Sequence, residues 1–411
     1  MRQSNNITFL FFIGLLGVLG FLGCKKDIDN PKICSPDFEA DPPGQWYLGD
    51  LHVHSTGASN DTGGDSTPEA IKNMALQRGL HFVVLTDHSN STGSDPNTLE
   101  EDPALFNQGP ECTWWQLCAQ LSEEGNFLMI NGNELSPVNS NVAIPSGHIG
   151  CLPADLNLFN PNIVFTDRPK SSVTGGNALQ QANSAGCFSI INHPYSPTPW
   201  ICYDWTDYNY QAIEIWNGTA GFDPYDNWGR MAWLCDLLNG RKITAIGASD
   251  NHRVFKDPPG DLTNPPLGYP TTAVFAANFS WPAIMQGLKN GETAIFEGKS
   301  RLFLDTYDIN KCRAQTPAGI RILRLRGQAD TLLNTAQLVL TRATVCTDTR
   351  PNHLSSPIIT ADTLLQQTIN NTQPFDLSVN IEGNAGVYTA TLLGKTDKKH
   401  YGAFSKAVII D

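Results

Sequence analysis

The sequence predicts a mixed α/β fold in which alternating helices and strands form a large N-terminal domain, followed by a smaller antiparallel β domain. A helix, a glycine and a short apolar strand recur in this order before residue 298, which is typical of parallel sheets and of barrels closed from such units. A candidate metal ligand follows each of these strands, where barrels carry their chemistry. After about residue 301, apolar and polar residues alternate with a period of two, as in antiparallel strands.

The first predicted strand, residues 46–55, places His52 and His54 two residues apart. Side chains at i and i+2 share one face of a strand, so both imidazoles can bind the same metal ion. Two histidines at this spacing are a weak signal alone. The prediction therefore depends on further ligands from elsewhere in the chain.

A helix is expected after this strand, because Thr67 provides a hydroxyl cap and Pro68 suits the first helical position. Gly79 is expected to end it. Residues 81–86 then form a continuous apolar run, as in a strand buried on both faces, and this strand leads to His88.

The same order of helix, glycine, strand and candidate ligand recurs along the chain. The expected helices are residues 113–124, 177–184 and 227–238, the expected strands are residues 127–131, 188–191 and 243–248, and the residues that follow are Glu134, His193, Asp250 and His252.

Residues 299–411 are expected to form an antiparallel, sandwich-like domain. The alternation is clearest at residues 375–381, where Leu377, Val379 and Ile381 alternate with polar side chains. One amphipathic helix is expected within this domain, at residues 360–369. The sequence does not indicate what this domain does.

Residues 1–23 are expected to be an export signal, because the apolar run is short and interrupted by glycines. The run ends in FLGC, which resembles the lipobox of bacterial lipoproteins. This resemblance implies lipidation of Cys24, a tether over residues 24–45, and an exported protein anchored by lipid to the bacterial cell envelope, periplasmic or surface facing. Plain secretion and a retained membrane anchor are the alternatives.

The formal net charge of −13 argues against stable nucleic-acid binding, because an acidic surface lacks the positive field that attracts phosphate backbones. A small anionic substrate is still compatible with a metal-rich pocket. The ten cysteines include no pair spaced for a zinc ribbon. Cys312 and Cys346 are the first disulfide pair we would expect, although spacing does not fix connectivity.

Most of the nine histidines follow strand-like runs, together with two carboxylates. The residues that share this placement are His52, His54, His88, His148, His193, His252, Glu134 and Asp250. A random scatter of histidines would not produce this distribution. The set therefore predicts a metal centre of imidazole and carboxylate ligands.

The motifs around these residues are DLHVHS at 50–55, TDH at 86–88, NGNE at 131–134, SGH at 146–148, NHP at 192–194 and GASDNH at 247–252. They resemble the PHP (polymerase and histidinol phosphatase) superfamily and span nearly all of residues 46–253. The flanking sequences WYLGD, IEIWNG and LLNGRKITAIGASDNHR resemble its carbaryl-hydrolase-like (CehA/McbA) branch.

The resemblance implies a distorted (β/α)7 barrel over residues 46–298, with two or three divalent metal ions. One ion would be held by His52, His54, Glu134 and Asp250, a second by His148 and His193 with Glu134 as the bridge, and a third by His88, His252 and Asp61, or Asp65 in its place. Such ligands suit zinc, manganese or iron, and the sequence does not distinguish these metals. Asp61 also lies in an ordinary turn sequence, so its role as a ligand is open.

Four other features are candidates for supporting roles. Asp87 is expected to orient a ligand histidine. Arg253, beside His252, and Arg230 are candidate phosphate clamps, although each is equally well explained as a solvated arginine. The aromatic, proline-rich residues 194–208 follow a candidate ligand and are expected either to wall the pocket or to belong to the core.

The leading functional prediction is a metal-dependent hydrolase of phosphate monoesters or diesters that uses a hydroxide shared by two metals. Glu134, Asp250 and Arg253 are its expected catalytic residues. The alternative is an amide, carbamate or carboxylic-ester hydrolase, since the same hydroxide attacks carbonyl carbon. A second alternative is a non-catalytic binding lipoprotein that keeps the metal for structure, although an intact ligand set argues against it.

Overall fold

The structure is a computed structural model in which residues 44–410 are described, apart from residues 60, 63, 89–91, 95–100, 138–145, 169–171, 219–220, 256–264, 309–320, 332, 334, 351–354, 371–372, 383 and 396–399. The predicted export signal, Cys24 and nearly all of the predicted tether lie outside the described residues, as does Cys312. Within the described part of the chain, no helix has the length and apolar character needed to cross a membrane.

The described residues form five α-helices, one short 3-10 helix at Pro199–Ile201, and twenty strands. The helices are α1 (Pro68–Gln77), α2 (Trp115–Leu121), α3 (Gly175–Ser184), α4 (Pro224–Leu238) and α5 (Trp281–Lys289). The first twelve strands are β1 (Gln45–Val53), β2 (Phe82–Leu85), β3 (Thr92–Ser94), β4 (Glu101–Phe106), β5 (Leu128–Asn131), β6 (Asn133–Leu135), β7 (His148–Pro153), β8 (Cys187–Asn192), β9 (Ala212–Asn217), β10 (Thr244–Ala248), β11 (Thr271–Ala276) and β12 (Thr293–Phe296). The last eight are β13 (Arg301–Asp308), β14 (Arg321–Gln328), β15 (Ala336–Thr347), β16 (Ile358–Ile369), β17 (Phe375–Ile381), β18 (Gly386–Lys395), β19 (His400–Phe404) and β20 (Val408–Ile410).

Four of the five described helices begin at a capping side chain, and α2 is the exception. The Thr67 side chain accepts a hydrogen bond from the backbone of Ala70, and Pro68 opens α1 as predicted. Asp223 caps α4 in a reciprocal arrangement with Asp226. These caps fix where each helix starts relative to the strand before it.

β1 lies inside the larger sheet, with β2 on one side and β11 on the other. β2 pairs with β1 in parallel, and β5 pairs with β2 in parallel. All four residues of β2 are buried, as the continuous apolar run predicts. β11 runs antiparallel to β1, so this sheet is mixed rather than parallel.

A second sheet has the strand order β10-β9-β8-β7-β6. β8, β9 and β10 are parallel, but β7 is antiparallel to both of its neighbours. The expectation of a parallel sheet is therefore wrong for β6 and β7. β5 leads to β6 through Gly132 alone, so no crossover helix separates these two strands and the regular alternation is interrupted.

The strands that carry the candidate ligands belong to two separate hydrogen-bonded sheets. A continuous (β/α)7 barrel is therefore not confirmed. The sheets do meet at two places. The backbone of His54 donates to Asn251 O at 2.9 Å, and that of Asp250 donates to His52 O at 2.9 Å. At the other edge, the backbone of Glu134 donates to Asp87 O at 3.0 Å. The ends of β1, β2, β6 and β10 consequently converge on one region.

The strands predicted after residue 299 are present and antiparallel. β19 pairs with β12, so β15, β16, β18 and β19 extend the sheet that contains β1. The separate sheet β13-β14-β17 packs against this extension through an apolar core that includes Leu304, Leu325, Leu340 and Leu392. The predicted division at residue 298 therefore falls within a continuous sheet.

The helix predicted at residues 360–369 is wrong, because these residues belong to β16. β16 pairs with β15 along its whole length, from Ile358 opposite Thr347 to Ile369 opposite Ala336. A long cross-strand ladder, interrupted by two register shifts, outweighs the weak helical periodicity of this segment.

The disulfide prediction of Cys312 with Cys346 is also wrong. Cys346, on β15, is bonded to Cys235 on α4, and a second disulfide joins Cys151 to Cys187. The partner of Cys346 lies 111 residues away in sequence, so local spacing gave no information about it. This bond links the C-terminal strands covalently to a helix of the α/β part.

Candidate metal centre

β1 delivers His52 and His54 to the convergence of strand ends. Both side chains are buried, and their Nε2 atoms are 3.2 Å apart. This is the arrangement that the i, i+2 spacing predicts. Two ring nitrogens in contact at the same point present two lone pairs to a single cation.

Glu134 on β6 lies at the centre of the histidines. Its Oε1 is 3.2 Å from His52 Nε2 and 3.4 Å from His193 Nε2, and its Oε2 is 3.0 Å from His88 Nδ1. Asn192 donates to Oε1 at 2.8 Å, which holds the carboxylate in place. One buried carboxylate therefore faces imidazoles on several sides.

The candidate ligand atoms form four overlapping groups, within each of which they lie no more than 4.8 Å apart. The groups are His52, His54 and Asp250; His52, Glu134 and His193; His88, Glu134 and His148; and His54, Asp61, His88 and His252. All nine residues predicted as ligands occur in these groups. Glu134 belongs to two of them, as do His52, His54 and His88. The ion assignment that the resemblance implies is not reproduced in these groups, because His148 and His193 fall in separate groups and Glu134 is absent from the group of His52, His54 and Asp250.

The group that contains Asp61 is the most open to solvent. Asp61 Oδ2 is 3.3 Å from His88 Nε2 and 3.1 Å from His252 Nε2, and the Asp61 side chain is 46% exposed. The rings of His54 and His252 stack at 4.0 Å. Asp65, the substitute considered for Asp61, is exposed and lies in none of the four groups.

His193 and Asp250 have left-handed backbone conformations, with φ of 25° and 54°. Such values are uncommon for residues other than glycine and persist where the surroundings enforce them. Asp250 Oδ1 lies 3.0 Å from His54 Nε2 and 3.2 Å from His52 Nε2. The strained turn after β10 thus directs this carboxylate toward the histidines of β1.

Burial and charge give the site residues unusual pKa values. Burial would lower the pKa of His52, but Asp250, Glu134 and Glu214 raise it well above its usual range. Burial opposes ionisation of Glu134, yet the nearby imidazoles hold its pKa well below the usual value. Burial lowers the pKa of His54 to about 3.

Buried polar atoms that lack a hydrogen-bond partner indicate whether these residues are suited to bind metal ions. Among the described residues, the buried side-chain atoms without a hydrogen-bond partner include Glu134 Oε2, both ring nitrogens of His148, and His193 Nδ1. Buried polar atoms are normally satisfied, so such a concentration at one point requires an explanation. Coordination to divalent ions would satisfy Glu134 Oε2 and one ring nitrogen of His148, and the mixed imidazole and carboxylate set suits zinc, manganese or iron.

Several residues behind the ligands were missed by the sequence reasoning. Glu214 on β9 accepts a hydrogen bond from the backbone of His193 at 2.7 Å and lies 3.4 Å from His52 Nδ1. Ser59 Oγ is 2.9 Å from His54 Nδ1, and Ser136 Oγ is 2.6 Å from His88 Nδ1. Glu214 lies within the IEIWNG sequence, so its motif was recognised but its role was not.

Asp87, predicted to orient a ligand histidine, reaches one through Ser59, which hydrogen-bonds to Asp87 and whose hydroxyl lies 2.9 Å from His54 Nδ1. Its carboxylate accepts hydrogen bonds from the backbone and hydroxyl of Ser55, at 2.5 and 2.8 Å. Asp50, which also went unnoticed, accepts bonds from Ser249 and Gly268. The two aspartates therefore fix the backbone after β1 and β10 and do not orient a ring directly.

The two candidate phosphate clamps are placed differently. Arg253 is exposed, one residue after His252, whereas Arg230 on α4 donates to Asn227 at 3.3 Å. In the aromatic segment, which we define as residues 194–210, Tyr195 and Trp205 are buried in the core. These two side chains therefore pack in the core and do not form the predicted pocket wall.

Solved structures that are similar to this chain include two of low sequence identity. One is a two-domain protein from Bacteroides vulgatus containing a predicted PHP-like metal-dependent phosphoesterase, with 17% identity, coverage of 88% of this chain and 95% of that chain, and a TM-score of 0.42. The other is endonuclease Q in complex with duplex DNA carrying an abasic lesion at its active site, with 16% identity, coverage of 60% of this chain and 57% of that chain, and a TM-score of 0.37. No family model and no curated protein matches the chain.

Proposed function

We propose that this chain is a metal-dependent hydrolase of phosphate esters, monoesters or diesters, that holds two or three divalent ions. The observation that carries the proposal is the position of Glu134, whose carboxylate is shared by two groups of candidate ligands. Divalent ions bound there would lower the pKa of a water molecule and stabilise negative charge on the oxygens of a displacement at phosphorus. We propose zinc, manganese or iron as the metal.

Each residue has a distinct task in this scheme. His52 and His54 supply neighbouring ring nitrogens from a buried strand end, and Asn192 holds the Glu134 carboxylate between the two groups. Asp250 remains ionised, since the surrounding histidines outweigh burial and hold its pKa well below the usual value. Its side chain is 22% exposed, so it can accept a hydrogen bond from a water molecule at the solvent side of the site.

The preference for phosphorus over carbonyl carbon follows from charge. A phosphoryl group spreads negative charge over several oxygens in its transition state, whereas an amide develops one oxyanion. The open group of Asp61, His88 and His252 adds a further cation-binding position beside the two that share Glu134. Arg253 next to it is the proposed contact for a remaining phosphate oxygen.

A substrate panel tests this proposal. Metal-loaded protein is assayed with a phosphomonoester, a phosphodiester, a carboxylic ester and a carbamate, beside His88→Ala and the control His81→Ala. His81 contacts the backbone of Leu48 and lies in none of the four groups. We expect phosphoester turnover that is lost in His88→Ala and retained in His81→Ala. Dominant carbamate turnover that survives His88→Ala would instead favour the carbaryl-hydrolase-like activity.

We further propose that the two sheets close as a distorted (β/α)7 barrel of the PHP type. The backbone hydrogen bonds that join His54 to Asn251 and Glu134 to Asp87 support this closure. Export and lipid attachment at Cys24, with the protein on the cell envelope, also remain proposals, and they rest on the FLGC sequence alone.

A further inference from the structure

We propose that Arg350, from the C-terminal part of the chain, is a positioning residue for the metal centre. It would act through the aromatic segment, which begins directly after His193. This inference rests on the proposed metal-dependent function. It assigns the C-terminal strands a role in that function, which the sequence left open.

Arg350 is completely buried and paired on two sides. Its Nη1 is 2.7 Å from Asp236 Oδ1 on α4, and its Nη2 is 2.6 Å from Asp348 Oδ2. A planar guanidinium between two carboxylates has a fixed orientation. The residue thus joins the turn after β15 to α4, close to the Cys235–Cys346 disulfide.

The Arg350 guanidinium lies over two rings of the aromatic segment. Its Cζ is 4.9 Å from the ring centroids of both Trp205 and Tyr208, and Nη1 donates to the Tyr210 hydroxyl at 3.4 Å. Trp205 has a left-handed backbone with φ of 52°, which requires support from its surroundings. The cation–π contact with a buried arginine supplies part of that support.

From Trp205, one line of contacts leads to His193. The Trp205 ring is 5.6 Å from Tyr195, two residues beyond His193 in the chain. The Tyr195 hydroxyl donates to Ser355 O at 3.3 Å, which is a second contact with the C-terminal part. Trp205 and Tyr195 are therefore both held by residues of the C-terminal part, Arg350 and Ser355 respectively.

A second line leads from Trp205 to His148. The Trp205 ring is 5.2 Å from Tyr203, which packs against Gly147 so closely that a Cβ there would lie 2.6 Å from Tyr203 Cα. Gly147 has φ of 88° and directly precedes His148. Tyr203 thus fixes the backbone beside that ligand, so His148 and His193, one from each of the two groups that share Glu134, both depend on the segment that Arg350 holds.

The test compares Arg350→Lys with the matched control Arg342→Lys. Arg342 lies on β15 and pairs with Asp362 at 2.5 Å, away from the aromatic segment. Lysine keeps the charge but loses the planar fork. Three quantities are measured on the protein: zinc affinity by competition with a chromophoric chelator, hydrogen exchange of residues 194–210 in metal-free protein, and the absorption spectrum after cobalt substitution. The absorption spectrum of the cobalt-substituted protein reports the ligand geometry.

We expect Arg350→Lys to weaken zinc binding at the groups of His148 and His193 about 10–100-fold and to alter the cobalt spectrum, while zinc at the group that contains Asp61 keeps its affinity. Exchange in the aromatic segment should rise about tenfold or more, whereas Arg342→Lys should match the wild type in every measurement. If Arg350→Lys does not fold, Asp348→Asn removes one partner of the same guanidinium at a partly exposed position.

The outcomes separate this inference from the proposed function. A folded Arg350→Lys with wild-type zinc affinity and cobalt spectrum overturns the positioning role, even where stability falls. Unchanged exchange of residues 194–210 overturns it as well. A wild-type protein that binds no zinc, cobalt, manganese or iron instead overturns the metal-dependent function, and the positioning role fails with it. The exchange data still decide whether Arg350 holds the aromatic segment.

Discussion

Replacing Glu134 by glutamine is expected to remove two metal ions at once. The carboxylate contacts His52, His88 and His193 at 3.0 to 3.4 Å through its two oxygens. Glutamine retains the size and one acceptor oxygen, so Asn192 can still be bonded, but its NH2 group cannot bind a cation. The substitution therefore removes the negative charge that two metal ions would share and keeps the packing of the side chain at position 134.

The number of metal ions that each variant should lose follows from the number of candidate-ligand groups that contain the substituted residue. Glu134 belongs to two of the four groups, whereas Asp61 belongs to one. After reconstitution and dialysis, we expect Glu134→Gln to lose about two ions per chain and Asp61→Asn about one. Each affected ion should bind at least about 10–100-fold more weakly, since that loss is already typical for residues behind the ligands.

Elemental analysis by mass spectrometry gives the metal content per chain, and circular dichroism checks the fold. Glu297→Gln is the control, because Glu297 is buried but lies outside the four groups. Wild-type metal content in Glu134→Gln, or a loss no greater than that of Asp61→Asn, would show that this carboxylate is not shared between ions.

Three further outcomes are expected. Glu214→Gln should keep the fold but weaken metal binding about 10–100-fold in zinc titrations, because Glu214 fixes the backbone of His193, and equal affinity would exclude this role. Removing the Cys235–Cys346 disulfide, which closes a separation of 111 residues, should lower the free energy of unfolding by about 4–5 kcal/mol in denaturant titrations, and a change below about 1 kcal/mol would contradict the loop-entropy argument. Cys24→Ser should move the protein from the membrane fraction to the soluble fraction or leave it unprocessed, and an unchanged distribution would argue against lipidation.

The convergence of these residues could be predicted from the sequence, because strand-terminal residues obey local rules. His52 and His54 had to share a face once their strand was recognised, and Glu134, His193 and Asp250 each follow a short apolar run. The ends of neighbouring strands then bring them together. Asp61 was harder, since its turn sequence is equally consistent with an ordinary loop.

Features that depend on distant partners were not predictable. Cys346 bonds to a helix 111 residues earlier, and β16 is a strand because β15 lies beside it. The role of Glu214 could not be predicted for a different reason. It lies inside a buried strand, and its hydrogen bond with the backbone of His193 is seen only in the structure. Long-range pairing decided each of these cases, and a single sequence does not encode it in any local pattern.

The continuous sheet has a consequence for dividing this chain. A fragment that stopped at residue 298 would leave β12 without β19, and its backbone donors and acceptors would form a bare edge. Phe296 on that strand would also lose its apolar cover. Open edges of this kind recruit strands from other molecules, so such a fragment is prone to aggregate. Any recombination that exchanged the C-terminal part would have to bring a replacement strand with it.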